Sequence, residues 1–310
     1  MPKRHKILIT GASGMLGRDL SQELSSEFEL WGLDIVTSNQ KPEARKKLII
    51  CDIYDRNETI KAVSTVKPDI VVHTAAWTDV DRCELDKKKA YRVNSKGTEN
   101  IALACKACDA ALIYISTDFV FDGRKKRPYR EVDKTNPLSV YASSKLEGER
   151  AVRKALKKYF ILRTSWLYGR HGKNFVDTVL TKAKTEKILK VVGDQIGSPT
   201  YTKDLAKAIH ALVNTIVTSN QKPVTRKNIY GIYHVSNYGS VSWYRYAKEI
   251  LRLARSKTRV LPISSTGLNR PAMRPAMSIL DNGKFIKFTH FKTRHWREAL
   301  KDYLLRGAIC

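Results

Sequence analysis

Near its start the chain runs from an apolar stretch, Lys6–Thr10, straight into Gly-Ala-Ser-Gly-Met-Leu-Gly, and apolar residues then recur at helical spacing over Met15–Ser25. A strand joined to a helix through Gly11, Gly14 and Gly17 has few ways to fold. The first glycine permits a tight turn, and the second lets backbone N–H groups approach a pyrophosphate at the helix N-terminus. The third lets helix and strand pack closely. A second strand, Glu29–Asp34, ends in an acid about 20 residues on, where a carboxylate meets a ribose diol. The turn therefore predicts a dinucleotide site made by Gly11, Ser13, Gly14, Met15, Leu16, Gly17, Arg18 and Asp34. Asp34 favours NADH, because a carboxylate repels a 2′-phosphate, whereas Arg18 offers such a phosphate a partner. NADPH or NADH stays open.

The pattern that follows extends this unit. Strands over Leu48–Asp52, Asp69–His73, Ala111–Ser116 and Tyr159–Arg163 alternate with helices ending at Val66, over Ala90–Ala107 and over Ser139–Lys157. Such alternation predicts a Rossmann-type α/β fold, a doubly wound parallel sheet with helices on both faces. After Tyr168 the period changes. Helices are expected at Lys173–Lys184, Tyr201–Val217, Trp243–Ala254 and Trp296–Leu305, and short strands at Leu189–Val192 and Gly231–Val235. Thr218–Lys227 reads as a loop, and Leu261–Pro275, with three prolines, as irregular. This predicts a dinucleotide-binding domain over residues 1–168, with 200–235 contributing to it, and a smaller C-terminal substrate-binding lobe from 169–199 and 236–310.

Composition bounds the rest. Among 310 residues, 57 are basic and 30 acidic, a net charge of +27. That field suits an anionic substrate. The charges are scattered and no nucleic-acid motif accompanies them, which argues against nucleic acid as a partner. No stretch approaches the roughly 20 apolar residues that span a membrane, and the apolar run after the basic start is too short for a signal peptide. A cytoplasmic protein is expected. The five cysteines, Cys51, Cys83, Cys105, Cys108 and Cys310, are read as reduced thiols. Cys105 and Cys108 share one helix without a second ligand pair, and the seven histidines have no ligand spacing, so no metal is predicted.

Tyr141 and Lys145 lie four residues apart on an expected helix and so share a face. A tyrosine hydroxyl ordinarily titrates near 10. A neighbouring ammonium is expected to lower that value and let the hydroxyl trade protons near neutrality. A strand ending in Ser116-Thr117-Asp118 would bring a hydroxyl to the end of a parallel strand, where such folds keep their sites.

Turn, hydroxyl and Tyr/Lys pair occur in the order of the extended short-chain dehydrogenases. The blocks ISTDFVFDG, PYRE, NPLSVYASSKLEGE, LRTSWLYG, GKNFV, GDQIGSPTYTKDLA and RPAMSILDN resemble, more narrowly, the dTDP-4-dehydrorhamnose reductase family over nearly the full length. The resemblance implies NAD(P)H-dependent reduction of a nucleotide-sugar ketone, with Thr117, Tyr141 and Lys145 as catalytic residues. It places Asp52 and Ile53 beside the adenine, Ala75 and Ala76 against the cofactor, and Asn94 behind the active-site helix. Thr78, Val80, Asp118, Trp166, Asn174 and Phe175 would line the nucleotide-sugar substrate.

The chain departs from that family at His73-Thr74-Ala75-Ala76-Trp77. Asp19 falls where some members use a carboxylate for a dimer-bridging magnesium, without matching companions. A homodimer remains an option. From the residues alone, Trp166 reads equally as a core residue, and Arg274 equally as a phosphate contact or a packing residue, whereas Asp118 reads more as a site residue beside Thr117 than as a turn cap. Asp194-Gln195 reads as a turn. The same motifs also resemble the regulatory beta subunit of methionine adenosyltransferase, which binds a partner enzyme, and nucleotide-sugar epimerases.

Overall fold

The computed structural model describes residues 4–35, 47–220 and 229–307. Its first half holds β1 (Lys6–Thr10), α1 (Met15–Leu24), β2 (Glu29–Asp34), β3 (Leu48–Ile50), α2 (Arg56–Val66) and β4 (Ile70–His73). Next come α3 (Val80–Leu85), α4 (Lys87–Tyr91), α5 (Thr98–Ala107), β5 (Ala111–Thr117), α6 (Val140–Ala155) and β6 (Tyr159–Thr164). The second half holds β7 (Leu167–Tyr168), α7 (Phe175–Ala183), β8 (Ile188–Val192), β9 (Ile196–Gly197), β10 (Thr200–Tyr201) and α8 (Thr202–Asn220). It ends with β11 (Gly231–His234), β12 (Val241–Ser242), α9 (Trp243–Leu253), β13 (Arg259–Ile263), α10 (Gly283–Thr289) and α11 (Trp296–Gly307).

Seven strands form one sheet in the order β11-β6-β5-β4-β1-β2-β3, and every pair is parallel. The alternation of strands and helices requires this, because each crossover helix covers a face. Ile7 and Ile9 point into the core under α1 and α8, while Leu8 between them points into the core under α2, α5 and α6. From β1 the chain winds outward to β3, then returns to build the other side from β4. That reversal between β1 and β4 opens a crevice beyond the carboxyl ends of the strands.

The smaller lobe has its own core of Tyr168, Val176, Leu189, Ile250, Leu300 and neighbouring aromatics. Its strands pair two by two, β8 with β13, β9 with β12 and β7 with β10. The second half of the chain returns to the large body more than once, since α8 packs on α1, β11 edges the large sheet and α10 packs on β11.

Three expectations change. Leu261–Ile263, expected to be irregular, lies in β13 paired with β8. Pro262 is tolerated there because a two-stranded ladder leaves one N–H side unpaired. The helix expected over Ala90–Ala107 starts earlier, at Lys87, where the Asp86 carboxylate accepts the Lys89 N–H at 2.9 Å. Between α4 and α5 it carries a π turn, Arg92–Gly97. Finally, 218–220 continue α8, and residues 221–227 of the expected loop lie outside the described residues. No helix among the described residues is long and apolar enough to cross a membrane.

Candidate active site

A cavity of about 780 Å³ fills the crevice. At one end is the glycine turn. Gly11 has φ +66°, and a Cβ there would sit 2.8 Å from the Ala75 nitrogen. A Cβ on Gly17 would collide with the Gly11 carbonyl. Gly14 caps α1 without a side-chain hydrogen bond, so the first N–H groups of the helix are left for a ligand. The buried Ser13 hydroxyl has no protein partner. The Asp34 carboxylate accepts the Ser13 N–H at 2.7 Å, which fixes it at the rim. An open glycine, free amide donors, an orphaned hydroxyl and a rim carboxylate fit a dinucleotide with a ribose diol. Gly11, Ser13, Gly14, Met15, Leu16, Asp34, Asp52, Ile53, Ala75 and Ala76 all line this space.

Gly17 and Arg18 stand outside the lining. Gly17 serves helix–strand packing, and Arg18 Nε donates to the Ser13 carbonyl at 3.0 Å. Asn94, in the π turn, is buried and also outside. It accepts the Trp77 N–H at 2.8 Å and donates to the Trp77 carbonyl at 3.0 Å and the Ser144 hydroxyl at 3.1 Å. It straps the loop after β4 to α6 instead of meeting a ligand.

The other end gathers the chemistry. Thr117, at the tip of β5, donates to Asp118 Oδ1 at 3.1 Å and accepts the Phe119 N–H at 3.1 Å. Tyr141 comes from the first turn of α6, which Ser139 caps by accepting the Ala142 N–H at 3.3 Å. One turn later Lys145 Nζ donates to the Ile115 carbonyl at 2.7 Å and lies 4.2 Å above the Tyr114 ring. Thr117, Asp118, Tyr141, Lys145, Thr78 and Val80 share the cavity lining.

The electrostatics correct one expectation. The Tyr141 hydroxyl is pushed up, first by burial and then by Asp118 and Cys83, with Thr117 pulling it down. Lys145 does not lower it, because its ammonium is turned onto Ile115 and Tyr114. Burial pushes Lys145 down to about 7. Asp118 rises to about 7 through burial, against hydrogen bonds from Ser278 and Thr117. Tyr141 thus keeps its proton at neutral pH.

The substrate-side wall differs most from the sequence reading. Trp166 lines the cavity with φ +48°, a strained value for a bulky residue. Its ring stacks on Trp243 at 3.4 Å and 5°, and a Cβ on Gly197 would press into it. Asn174 and Phe175 are not brought to the cavity. The Asn174 side chain caps α7 and binds the Gly169 carbonyl at 2.8 Å and Tyr303. Phe175 packs on Trp243 at 4.4 Å. Arg274 lines the cavity while it donates to Asp81 at 2.9 Å and the Ala272 carbonyl at 3.0 Å. Sequence reasoning missed Trp243, Lys173 and Phe119, which also line the cavity. Trp243 carries no local signal, since it meets Trp166 through tertiary packing alone. Phe119 could have been found beside Asp118.

Against known proteins, residues 5–308 match the family described as RmlD substrate binding domain. The chain is 40% identical over 306 residues to the spore coat polysaccharide biosynthesis protein SpsK of Bacillus subtilis, covering 98% of this chain and 99% of that protein. The dTDP-4-dehydrorhamnose reductase structure of Clostridium acetobutylicum superposes with a TM-score of 0.86 at 39% identity, covering 98% and 99%. The chain belongs to the dTDP-4-dehydrorhamnose reductase family. With it, the chain belongs to the NAD(P)-dependent oxidoreductases. A reductase structure of this family from Bacillus anthracis, in complex with NADP, also superposes at 0.86 with 36% identity, covering 98% and 100%. Like those reductases, this chain has the Rossmann-type sheet as its body.

Proposed function

We propose that the chain reduces the 4-keto group of a nucleotide-linked sugar with NADPH or NADH, and that its substrate is dTDP-4-dehydro-6-deoxy-L-mannose, giving dTDP-L-rhamnose. The observation that carries this is the arrangement along one cavity. A glycine turn built for a pyrophosphate stands at one end, and Thr117, Tyr141 and Lys145 converge at the other. Names borne by relatives supply the sugar.

Gly11, Ser13, Gly14, Met15 and Leu16 would hold the cofactor's phosphates, Asp34 its adenine ribose, and Asp52 and Ile53 its adenine. Ala75 and Ala76 leave room beside β4. The nicotinamide, when bound, supplies the hydride. Thr117 would hydrogen-bond the ketone oxygen, and Tyr141 would donate its proton to that oxygen as charge develops on it. The raised value of the Tyr141 hydroxyl suits this direction, because the group is a proton carrier throughout the neutral range. Proton return from water to Tyr141 completes the cycle. Lys145, turned onto Ile115 and Tyr114, would hold the nicotinamide ribose, and Trp166, Thr78, Val80 and Asp118 would confine the sugar.

The test is NADH or NADPH consumption, followed by absorbance, with dTDP-4-dehydro-6-deoxy-L-mannose and both cofactors in parallel. Turnover that disappears in Tyr141→Phe is expected. Cofactor binding without turnover would overturn the reductase reading.

A further inference from the structure

α6 carries two charged side chains one turn apart, Lys145 and Glu149, and both are buried, 3% and 2% exposed. Lys145 lines the cavity, whereas Glu149 does not. Glu149 is held from two strands. Arg163 of β6 grips it with two hydrogen bonds at 2.8 and 2.6 Å, and the Ser116 hydroxyl of β5 donates to it at 2.6 Å. Ser116 follows Ile115, whose carbonyl receives Lys145. One turn of the helix is therefore fastened to two successive residues of β5, by a cation at one and a carboxylate at the other.

Stability alone does not account for this arrangement. A fully buried ion pair is often replaceable by apolar residues with no loss, because removing both charges from water costs about what their attraction returns. The pair lies instead where it acts on a neighbour. Around Lys145 stand the ring of Tyr114 on β5, Tyr141 on its own helix and neutral His73 on β4. Cys83 of α3 and Asp118 lie beyond Tyr141, and Arg163 lies behind Glu149. Burial drives Lys145 toward its neutral form, and Glu149 is the group that opposes this.

We propose that Glu149 is a positioning residue, whose clamped carboxylate holds the Lys145 side chain against the Ile115 carbonyl and keeps it cationic beside Tyr141. Its effect on turnover rests on the reductase reading above, but its effect on Lys145 does not. Ser116 and Arg163 fix the carboxylate, so that it cannot swing out to solvent and leave the ammonium without its counter-charge.

The experiment titrates Lys145 directly. Protein without cofactor is pulsed with acetic anhydride across a pH series, and Lys145 acetylation is quantified by peptide mass spectrometry, since the free amine alone reacts. In Glu149→Gln the midpoint of reactivity moves down by about one pH unit or more, the size expected for loss of a nearby opposite charge. Glu149→Asp recovers part of the shift. Glu147→Gln, which removes a half-exposed acid two residues away that pairs with Arg150, leaves the midpoint in place. In turnover, the alkaline limb of kcat/KM moves down with the labelling midpoint.

Should Glu149→Gln not fold because Arg163 is left buried and unpaired, Ser116→Ala loosens the same carboxylate while keeping both charges of the Glu149–Arg163 pair, and a smaller downward shift is expected. An unmoved midpoint in a folded variant overturns the proposal, as does a kcat that falls equally at every pH. A wild-type protein without turnover would count against the reductase reading, and the labelling would still decide the role of Glu149.

Discussion

The glycine turn and the tryptophan wall close opposite parts of one cavity, and they are made differently. The turn is backbone. Its shape comes from Gly11 at φ +66°, from the contact of Gly17 with the Gly11 carbonyl, and from the amide groups of α1. The wall is side chain. Trp166 leans on Trp243, Trp243 on Phe175, and Gly197 leaves the gap in which the indole fits. A surface of backbone amides recognises what all dinucleotides share, their phosphates, and tolerates little change. A surface of stacked rings can be recut by exchanging residues, so it is the part that can vary with the sugar.

Substitutions can test that division. The largest effect is expected between the two surfaces. Tyr141→Phe removes the proposed proton donor and should lower kcat by about 10²- to 10⁴-fold, while equilibrium cofactor binding, followed by fluorescence, stays near wild type. Lost cofactor affinity would show that the catalytic end and the turn are not separable. Next, Gly14→Val places a branched side chain where a pyrophosphate would lie, at a cost of about 1 to 3 kcal/mol for overpacking. Cofactor dissociation constants should rise roughly 10- to 100-fold, and unchanged affinity would remove the phosphate role from the turn. Trp243→Ala withdraws the support under Trp166, and about 1 kcal/mol of ring–ring contact goes with it. KM for the sugar nucleotide should rise several-fold with cofactor affinity constant, and Trp243→Phe should recover most of it. A cofactor effect here would blur the comparison.

The smallest effect concerns Asp118, which lies between the surfaces. Its carboxyl keeps a proton in the fold up to about 7, whereas the unfolded chain releases it near 4. The contribution of this neutral acid to stability is complete below 4 and fades as pH rises toward 7. Asp118→Asn should match wild type at pH 4 and melt on the order of 5 °C higher at pH 7. Equal melting temperatures at both values would show that burial of Asp118 costs the fold nothing.

The same contrast explains what the sequence disclosed. The sheet was legible because βα units repeat a period that burial on both faces imposes, and Ile7, Leu8 and Ile9 had to divide between two cores. The turn and the Tyr141/Lys145 pair were legible because their geometry is local, set within seven residues or one helical turn. The direction of the Lys145 ammonium was not, since it depends on the carbonyl of Ile115, thirty residues away. Nor was the place of Asn174. Its position at the head of α7 is local, but its engagement with Tyr303 depends on a contact across 129 residues. Trp243 stayed hidden for the same reason, and β13 because Pro262 resembles a breaker until its partner strand is known.

The π turn at Arg92–Gly97 has one further consequence. A π turn holds one residue more than the α-helix it interrupts. Deleting a single residue there would let α4 and α5 join as an unbroken α-helix, and the turns on either side would keep roughly their present phase, because the wider turn already takes up that residue. The cost would fall inside the stretch, where Asn94 would lose its place against Trp77 and Arg92 its place over the Tyr54 ring, 4.0 Å away. Elsewhere in a helix a one-residue deletion turns everything upstream by about 100°, whereas here it is taken up locally.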